Sequence, residues 1–298
     1  MLKAPPYLKI GDKVAVTAPA SKLERKSIDI GIEILKSWGL EVVVGNTVGN
    51  AYHGFASTLE SRIAEFQNFL DDTSIKFILS ARGGYGCSKI IDYLNFDKFK
   101  ATPKWVCGFS DLTAMLLEVN SLGFQALHGV MAKTMVYNRE SNESLKDLLF
   151  GGKTVYNFDF QVWNKLGEGT GEAVGGNLAL LAHSIGSKSD LNYSGKILFL
   201  EDISEYYYNL DRMLVQLKRA GKLNNLAGLV VGDFSDCKDN DEPFGKNIQE
   251  IVLEHTENTG YPVAFGFGFG HENKNLAIRM GEELSLRVNK SGSTILSL

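Results

Sequence analysis

Ser110 is the residue whose neighbours best fit it for chemistry. It stands in Gly108-Phe-Ser-Asp111, between a short apolar run, Trp105 to Cys107, and a stretch with Leu112, Met115, Leu116 and Val119 at helical spacing. The first reads as a buried strand and the second as a helix. A serine at a sharp strand-to-helix turn has its hydroxyl held out toward solvent. The first N–H groups of the helix then point at whatever that hydroxyl attacks. Ser and Asp are also preferred helix caps, so Ser110 and Asp111 could serve only to start the helix.

A hydroxyl nucleophile needs a base for its proton and a third group to orient that base. Histidine suits the task because its unperturbed pKa, ~6.5, lies near neutral pH. Five histidines are present. His53 and His255 lie in polar surroundings, which predicts surface roles, and His128 and His183 lie in apolar ones, which predicts core roles. His271 ends the glycine-rich run Gly266-Phe-Gly-Phe-Gly-His271, where backbone can pass close to another group. A surface-loop role is the alternative for it. The orienting acid is expected at a strand end, and Glu201 and Asp202 follow the apolar run Ile197 to Leu200. Strand alternation points the two carboxylates to opposite faces, so only one can serve the site, and Glu201 is the candidate. A metal-ligand role for such acids would need a histidine cluster, and His271-Glu272 does not continue as HExxH. A solvated acidic turn is the other alternative.

The Arg82-Gly-Gly-Tyr-Gly86 loop lacks the lysine and spacing of a phosphate-binding loop. Its glycines can instead bring a backbone N–H to an oxyanion. Cys87 follows this loop and is a rival nucleophile, disfavoured because it falls inside the expected helix rather than at its turn.

These residues must be carried by a framework. Lys13–Pro19, Glu41–Gly45, Lys76–Ser80 and Trp105–Cys107 read as strands. Helical patterns at 24–38, 59–70, through Ile90, Ile91 and Leu94, and beyond Ser110 alternate with them. Such β-then-α repetition implies a parallel sheet with helices on both faces. Active residues collect at the carboxyl ends of strands in these sheets. Residues 139–172 are polar and turn-rich and read as an inter-domain connection, which sets domains at 1–138 and 173–298. The second half has strands at 196–202, 226–233 and 262–266 and helices opening at Gly175, at Leu210 and at Phe244 beside Pro243. Glu283–Val288 alternates and is expected to pair antiparallel.

The chain of 298 residues is 44% hydrophobic and 22% charged, with a formal charge of −4. These values fit a globular protein with no electrostatic footprint for nucleic acid. No run approaches the ~18 apolar residues of a membrane span, and the start lacks the apolar core of a signal peptide. Three cysteines, widely spaced, suggest no disulfide framework. A reduced, cytoplasmic protein is the expectation.

With Ser110, Glu201 and His271 in this order, the sequence resembles the LD-carboxypeptidase family, serine peptidases that include the microcin C immunity group. The likeness runs along nearly the whole chain. It rests on Val16-Thr-Ala-Pro19, Ala81-Arg-Gly-Gly-Tyr-Gly86, Gly108-Phe-Ser-Asp111, Gly175-Gly-Asn-Leu178, Phe199-Leu-Glu-Asp202 followed by Tyr208-Asn-Leu-Asp-Arg-Met213, and Gly268-Phe-Gly-His271. The resemblance implies an α/β fold, with a Rossmann-like N-terminal domain and a smaller, β-rich α/β C-terminal domain meeting at the site. It implies Ser110 as nucleophile, His271 as base and Glu201 as its orienting acid. The oxyanion hole would be the N–H groups of Asp111 and of Gly84 in the glycine loop. No metal or organic cofactor is implied, and a homodimer is. Arg82 and Asn177 are candidates for substrate contact, with structural roles equally open. The implied substrate is murein tetrapeptide, cut to release terminal D-alanine in cell-wall recycling. Immunity-type members instead cleave an aminoacyl or peptidyl amide of a nucleotide-like group. They tend to stack an aromatic on the base, and Trp163 lies in the corresponding region.

Overall fold

The computed structural model describes residues 2–298. The chain forms two compact units, one of residues 2–152 with 273–279 and one of residues 153–272 with 280–298. Its strands are β1 (Lys13–Thr17), β2 (Glu41–Val44), β3 (Ile75–Ser80), β4 (Trp105–Gly108), β5 (Ala126–His128), β6 (Val155–Phe158), β7 (Gly167–Asn177), β8 (Ile197–Ile203), β9 (Gly228–Ser235), β10 (Val263–Phe265), β11 (Ile278–Met280), β12 (Glu283–Asn289) and β13 (Gly292–Ser297). Its helices are α1 (Asp29–Ser37), α2 (Leu59–Asp71), α3 (Asp97–Ala101), α4 (Thr113–Ser121), α5 (Arg139–Leu149), α6 (Leu178–Ser184), α7 (Tyr207–Arg219) and α8 (Ile248–Thr256).

In the first unit the sheet order is β11-β5-β4-β3-β1-β2, and β1 to β5 pair in parallel. Strands covered on both faces need apolar residues without alternation. That is the pattern of β4, Trp-Val-Cys-Gly, all buried, whereas β2 at the edge is only half-buried. Val14, Val16, Phe77, Leu79, Trp105 and Leu127 pack on Ile28, Ile32 and Leu35 in one core. Thr58 caps α2 by accepting from the Ser61 N–H. The expected helix through Ile90 and Leu94 is instead two 3-10 turns, Cys87–Lys89 and Ile91–Tyr93. The first turn starts after Gly86, whose φ of +138 suits a glycine.

The edge strand β11 comes from far along the sequence. One face of α5 holds the segment leading into it: the Ser141 and Ser144 hydroxyls accept from the Asn275 and Ala277 N–H groups at 2.8 and 3.0 Å. Arg279 is buried and donates to the carbonyls of Leu148 and Gly152 at 2.5 and 2.7 Å. Its guanidinium lies 5.2 Å from the centre of the Tyr7 ring.

The second unit is built on a mixed sheet of order β10-β9-β8-β7-β12-β13-β6. β7 to β10 run parallel, and β12 pairs antiparallel with β7 and β13. Alternating burial along β12 matches its sequence pattern. The stretch 139–172, read as a connection, contains α5, β6 and the start of β7, and the first of the chain's crossings between the described units falls at Gly152 and Lys153. Its glycines read as turns, but in β7 they make room for close backbone. A side chain at Gly169 would strike the Ala227 carbonyl. Helix α8 starts at Ile248 rather than near Pro243, because Asn247 and Glu250 form a reciprocal capping box there.

Candidate active site

Ser110 has φ +61, a left-handed conformation that a residue with a Cβ seldom adopts. It stands one residue beyond β4, after Phe109, and opens a 3-10 turn, Ser110–Leu112, closed by the Leu112 N–H donating to the Phe109 carbonyl at 3.3 Å. Such strain persists only where surrounding structure imposes it. Neither Ser110 nor Asp111 caps α4 through its side chain. Ser110 is only partly buried, between the buried Phe109 and Asp111.

Asp111 turns inward and is buried. Its carboxylate accepts from the Cys87 N–H at 2.8 Å, which ties the end of the glycine loop to the serine turn. Burial raises the Asp111 carboxyl above its usual range, opposed by hydrogen bonds from Cys87 and Gly86 and by the charge of Arg62. Arg62 projects from α2 into the same interior. It donates to the carbonyls of Pro19 and Gly86 at 2.7 and 3.2 Å and lies 4.7 Å from the centre of the Phe55 ring. Arg62 belongs to none of the sequence motifs. Its signal was an arginine on the buried α2 stripe with Phe66 and Leu70.

Gly83 is the loop glycine against the serine. A Cβ at Gly83 would lie 2.9 Å from the Ser110 Cβ and 3.1 Å from its Oγ. Gly84, at φ +112, backs onto Ser21 instead, and the Ser21 hydroxyl accepts from the Tyr85 N–H at 3.1 Å. Cys87 is fully buried, and burial together with the Asp111 charge pushes its thiol well above the ordinary value. A buried, protonated thiol is not a nucleophile.

In the second unit, the carboxyl end of β8 carries Glu201 and Asp202 with opposite partners. Glu201 is fully buried, and its Oε2 lies 2.6 Å from His271 Nδ1. That contact engages Nδ1 and fixes the orientation of the imidazole ring. Burial would lower the His271 pKa. The hydrogen bond and charge of Glu201, with the charges of Asp202 and Asp233, outweigh it and hold the imidazole above its ordinary value. Gly270, at φ +134, lets the chain pass over this acid, since a Cβ there would lie 3.0 Å from the Glu201 Cβ and 3.1 Å from its Oε2.

Asp202 accepts from Asn177 Nδ2 at 2.9 Å, from the Ala179 N–H at 3.0 Å and from the Ile203 N–H at 2.8 Å. It braces the start of α6. Asn177 is buried, and its Oδ1 also accepts from the Leu180 N–H at 3.2 Å, so its amide works in the cap at both ends. Burial first, then the Glu201 charge, raises the Asp202 carboxyl to about 7. Asp233 at the end of β9 reaches about 7 through burial and the charges of Glu272 and Glu201. No sequence motif pointed to Asp233, although it ends an apolar strand as Glu201 does.

Two other histidines differ from expectation. His255 is buried and bonded to Asp211 at 2.8 Å, because α8 buries Ile248, Ile251, Val252 and His255 on one face. His183 is exposed, since α6 turns Leu178, Leu181 and Ala182 inward instead. His128 is in the core and His53 on the surface. Trp163 is partly exposed in the loop between β6 and β7. Among the described residues no group of three His, Cys, Asp or Glu is placed to hold a metal, and no helix is long and apolar enough to cross a membrane.

The class defined by these features is a two-unit α/β protein with a serine on a strained strand-end turn and a buried carboxylate–imidazole pair. Domain models described as the LD-carboxypeptidase N-terminal and C-terminal domains match residues 14–129 and 170–286. The chain belongs to the LD-carboxypeptidase family. It is 30% identical to a probable murein peptide carboxypeptidase of Bacillus subtilis, over 98% of this chain and 93% of the relative. A murein tetrapeptide carboxypeptidase of Pseudomonas aeruginosa is 29% identical over 94% of this chain and 95% of the relative. The crystal structure of a muramoyltetrapeptide carboxypeptidase from Oxalobacter formigenes superposes with a TM-score of 0.87 at 25% identity, covering 96% of this chain and 99% of that one. The same fold occurs in MccF bound to glutamyl sulfamoyl guanosine, with a TM-score of 0.87 at 20% identity over 100% and 98% of the two chains.

Proposed function

We propose that this protein is a serine carboxypeptidase that hydrolyses an L,D-peptide bond and releases terminal D-alanine from murein tetrapeptide. The observation that carries the reading is Ser110 at φ +61 on the carboxyl end of β4, in a chain aligned over nearly its full length with a murein tetrapeptide carboxypeptidase. In this reading the Ser110 Oγ attacks the scissile carbonyl carbon, and His271 Nε2 takes the hydroxyl proton. Glu201 holds the imidazole and stabilises its cation. The Asp111 N–H and an N–H of the glycine loop, assigned to Gly84, receive the negative oxygen. His271 returns the proton to the departing amine as the C–N bond breaks, leaving an acyl-serine. Water then attacks that ester, gives its proton to His271, and the Ser110 hydroxyl is restored. The reading calls for no metal. It fits a cytoplasmic homodimer that recycles cell-wall peptides.

The test is mass spectrometry of products from murein tetrapeptide and from an aminoacyl sulfamoyl adenylate, run side by side with and without EDTA. Loss of one alanine from the tetrapeptide, insensitive to EDTA, is expected. Cleavage of the adenylate alone would move the activity to the immunity type.

A second expected result concerns Gly83, whose φ lies outside the positive range, so that an alanine there is opposed by the contact with Ser110 and not by its own backbone conformation. Gly83→Ala should keep the thermal midpoint within a few degrees yet lower kcat by about 10²-fold or more, since displacing a nucleophile by about 1 Å costs that much. Wild-type kcat in this variant would show that the glycine loop does not position Ser110.

A further inference from the structure

Three loops at the carboxyl end of the first sheet bring cations to one cavity of about 520 Å³. Lys22 follows β1, Arg82 follows β3 and Lys133 follows β5, and all three line it together with Leu23, Glu24 and Asn50. Their backbones are fixed. The Lys22 N–H donates to the Gly54 carbonyl at 3.1 Å, and the Lys133 N–H to the Ala81 carbonyl at 3.0 Å. Arg82 Nη1 donates to the Lys22 carbonyl at 2.9 Å. That one bond orients the guanidinium and leaves the rest of its donor fork unused.

None of the three cations forms an ion pair with a carboxylate among the described residues. The one acidic residue of the lining, Glu24, is 3.2 Å from Lys26. In a chain of net charge −4, this is a concentration of unneutralised positive charge in a concave site. Like charges gathered in a cleft repel one another and raise the local concentration of anions. The site is also tied to the reacting centre: Arg82 directly precedes Gly83, the glycine backed onto Ser110.

We propose that the cavity lined by Lys22, Arg82 and Lys133 is an anion subsite that holds a carboxylate of the peptide substrate. The choice of a peptide carboxylate rests on the carboxypeptidase reading above. The anion chemistry does not, because a phosphate would meet the same three cations. Arg82 grips the anion through its fork, and the two lysines supply charge from either side.

The experiment uses the full chain carrying Ser110→Ala, so that bound peptide is not consumed. Calorimetry compares murein tetrapeptide with the same peptide amidated at its carboxyl groups. The free acid should bind about tenfold tighter or more, as expected for charge-assisted hydrogen bonds. In Ser110→Ala carrying Lys22→Met and Lys133→Met, the gap should shrink to about twofold, with the circular dichroism spectrum and the affinity for the amidated peptide unchanged. Equal affinities in the Ser110→Ala host, or a gap undiminished by the lysine substitutions, would overturn the subsite. If neither peptide binds, the carboxypeptidase reading falls, and inorganic phosphate decides the subsite. Saturable millimolar binding that disappears in the lysine variant supports an anion site, and no saturation overturns it.

Discussion

Ser110→Ala should fold, bind substrate and turn nothing over. The loss in kcat is expected to be about 10⁶-fold, the scale seen when a nucleophilic serine is removed from a triad. A second substitution at the same place separates chemistry from strain. Alanine keeps a Cβ at φ +61, whereas glycine adopts that conformation freely. Ser110→Gly should be equally inactive yet more stable than Ser110→Ala by up to about 1 kcal/mol, because relief of strain outweighs the added freedom of the unfolded chain. Urea melts of the two variants check the stability difference, and single-turnover assays check the chemistry. Retained turnover in Ser110→Ala would remove the serine mechanism. A Ser110→Gly variant less stable than Ser110→Ala would show that the turn is not strained.

Glu201→Gln should lower kcat by about 10⁴-fold, the scale for replacing the orienting acid of a triad by its amide. It should also shift the pH dependence of what remains. His271 must be neutral to accept a proton, and its pKa is raised above the ordinary value. The acid limb of the wild-type profile is therefore expected above ~6.5, the unperturbed imidazole value. Removing the Glu201 anion disfavours imidazolium, so the limb should move to lower pH. Asp202 and Asp233 titrate nearby at about 7, so the shift between variants is the quantity to read rather than one absolute value. Asp202→Asn should spare kcat within about tenfold and instead destabilise the protein by about 1 kcal/mol, through the weakened brace at the start of α6. A limb that rises in Glu201→Gln, or equal losses of kcat in the two variants, would sink the pairing of Glu201 with His271.

What the sequence carried was mostly local. An apolar run ending in Gly-Phe-Ser-Asp has few ways to fold other than a buried strand meeting a turn. Alternation along β8 separates Glu201, which meets His271, from Asp202, which meets Asn177 and the α6 N-terminus. The features that escaped are those fixed by partners remote in the chain. Which loop glycine touches Ser110 depends on Ser21 taking the place beside Gly84. Arg62 is buried because carbonyls of two loops converge on it. The environments of His183 and His255 depend on which helix face turns inward, and flanking polarity does not report that. β7 reads as a turn because its glycines answer to the backbone of Gly195 and Ala227, not to their own neighbours.

The returning strand β11 has a consequence for biosynthesis. The sheet that bears Ser110 is completed by residues 273–279, which are translated only after the whole of 153–272. Until then β5 is a bare edge, and the Ser141 and Ser144 hydroxyls lack the backbone groups they receive in the finished unit. Bare edges invite pairing with other chains. A ribosome-bound chain halted after Gly152 should therefore be protease-sensitive and prone to association. The strand order β11-β5-β4 therefore leaves the sheet that carries Ser110 incomplete at its edge until residues 278–280 have been added.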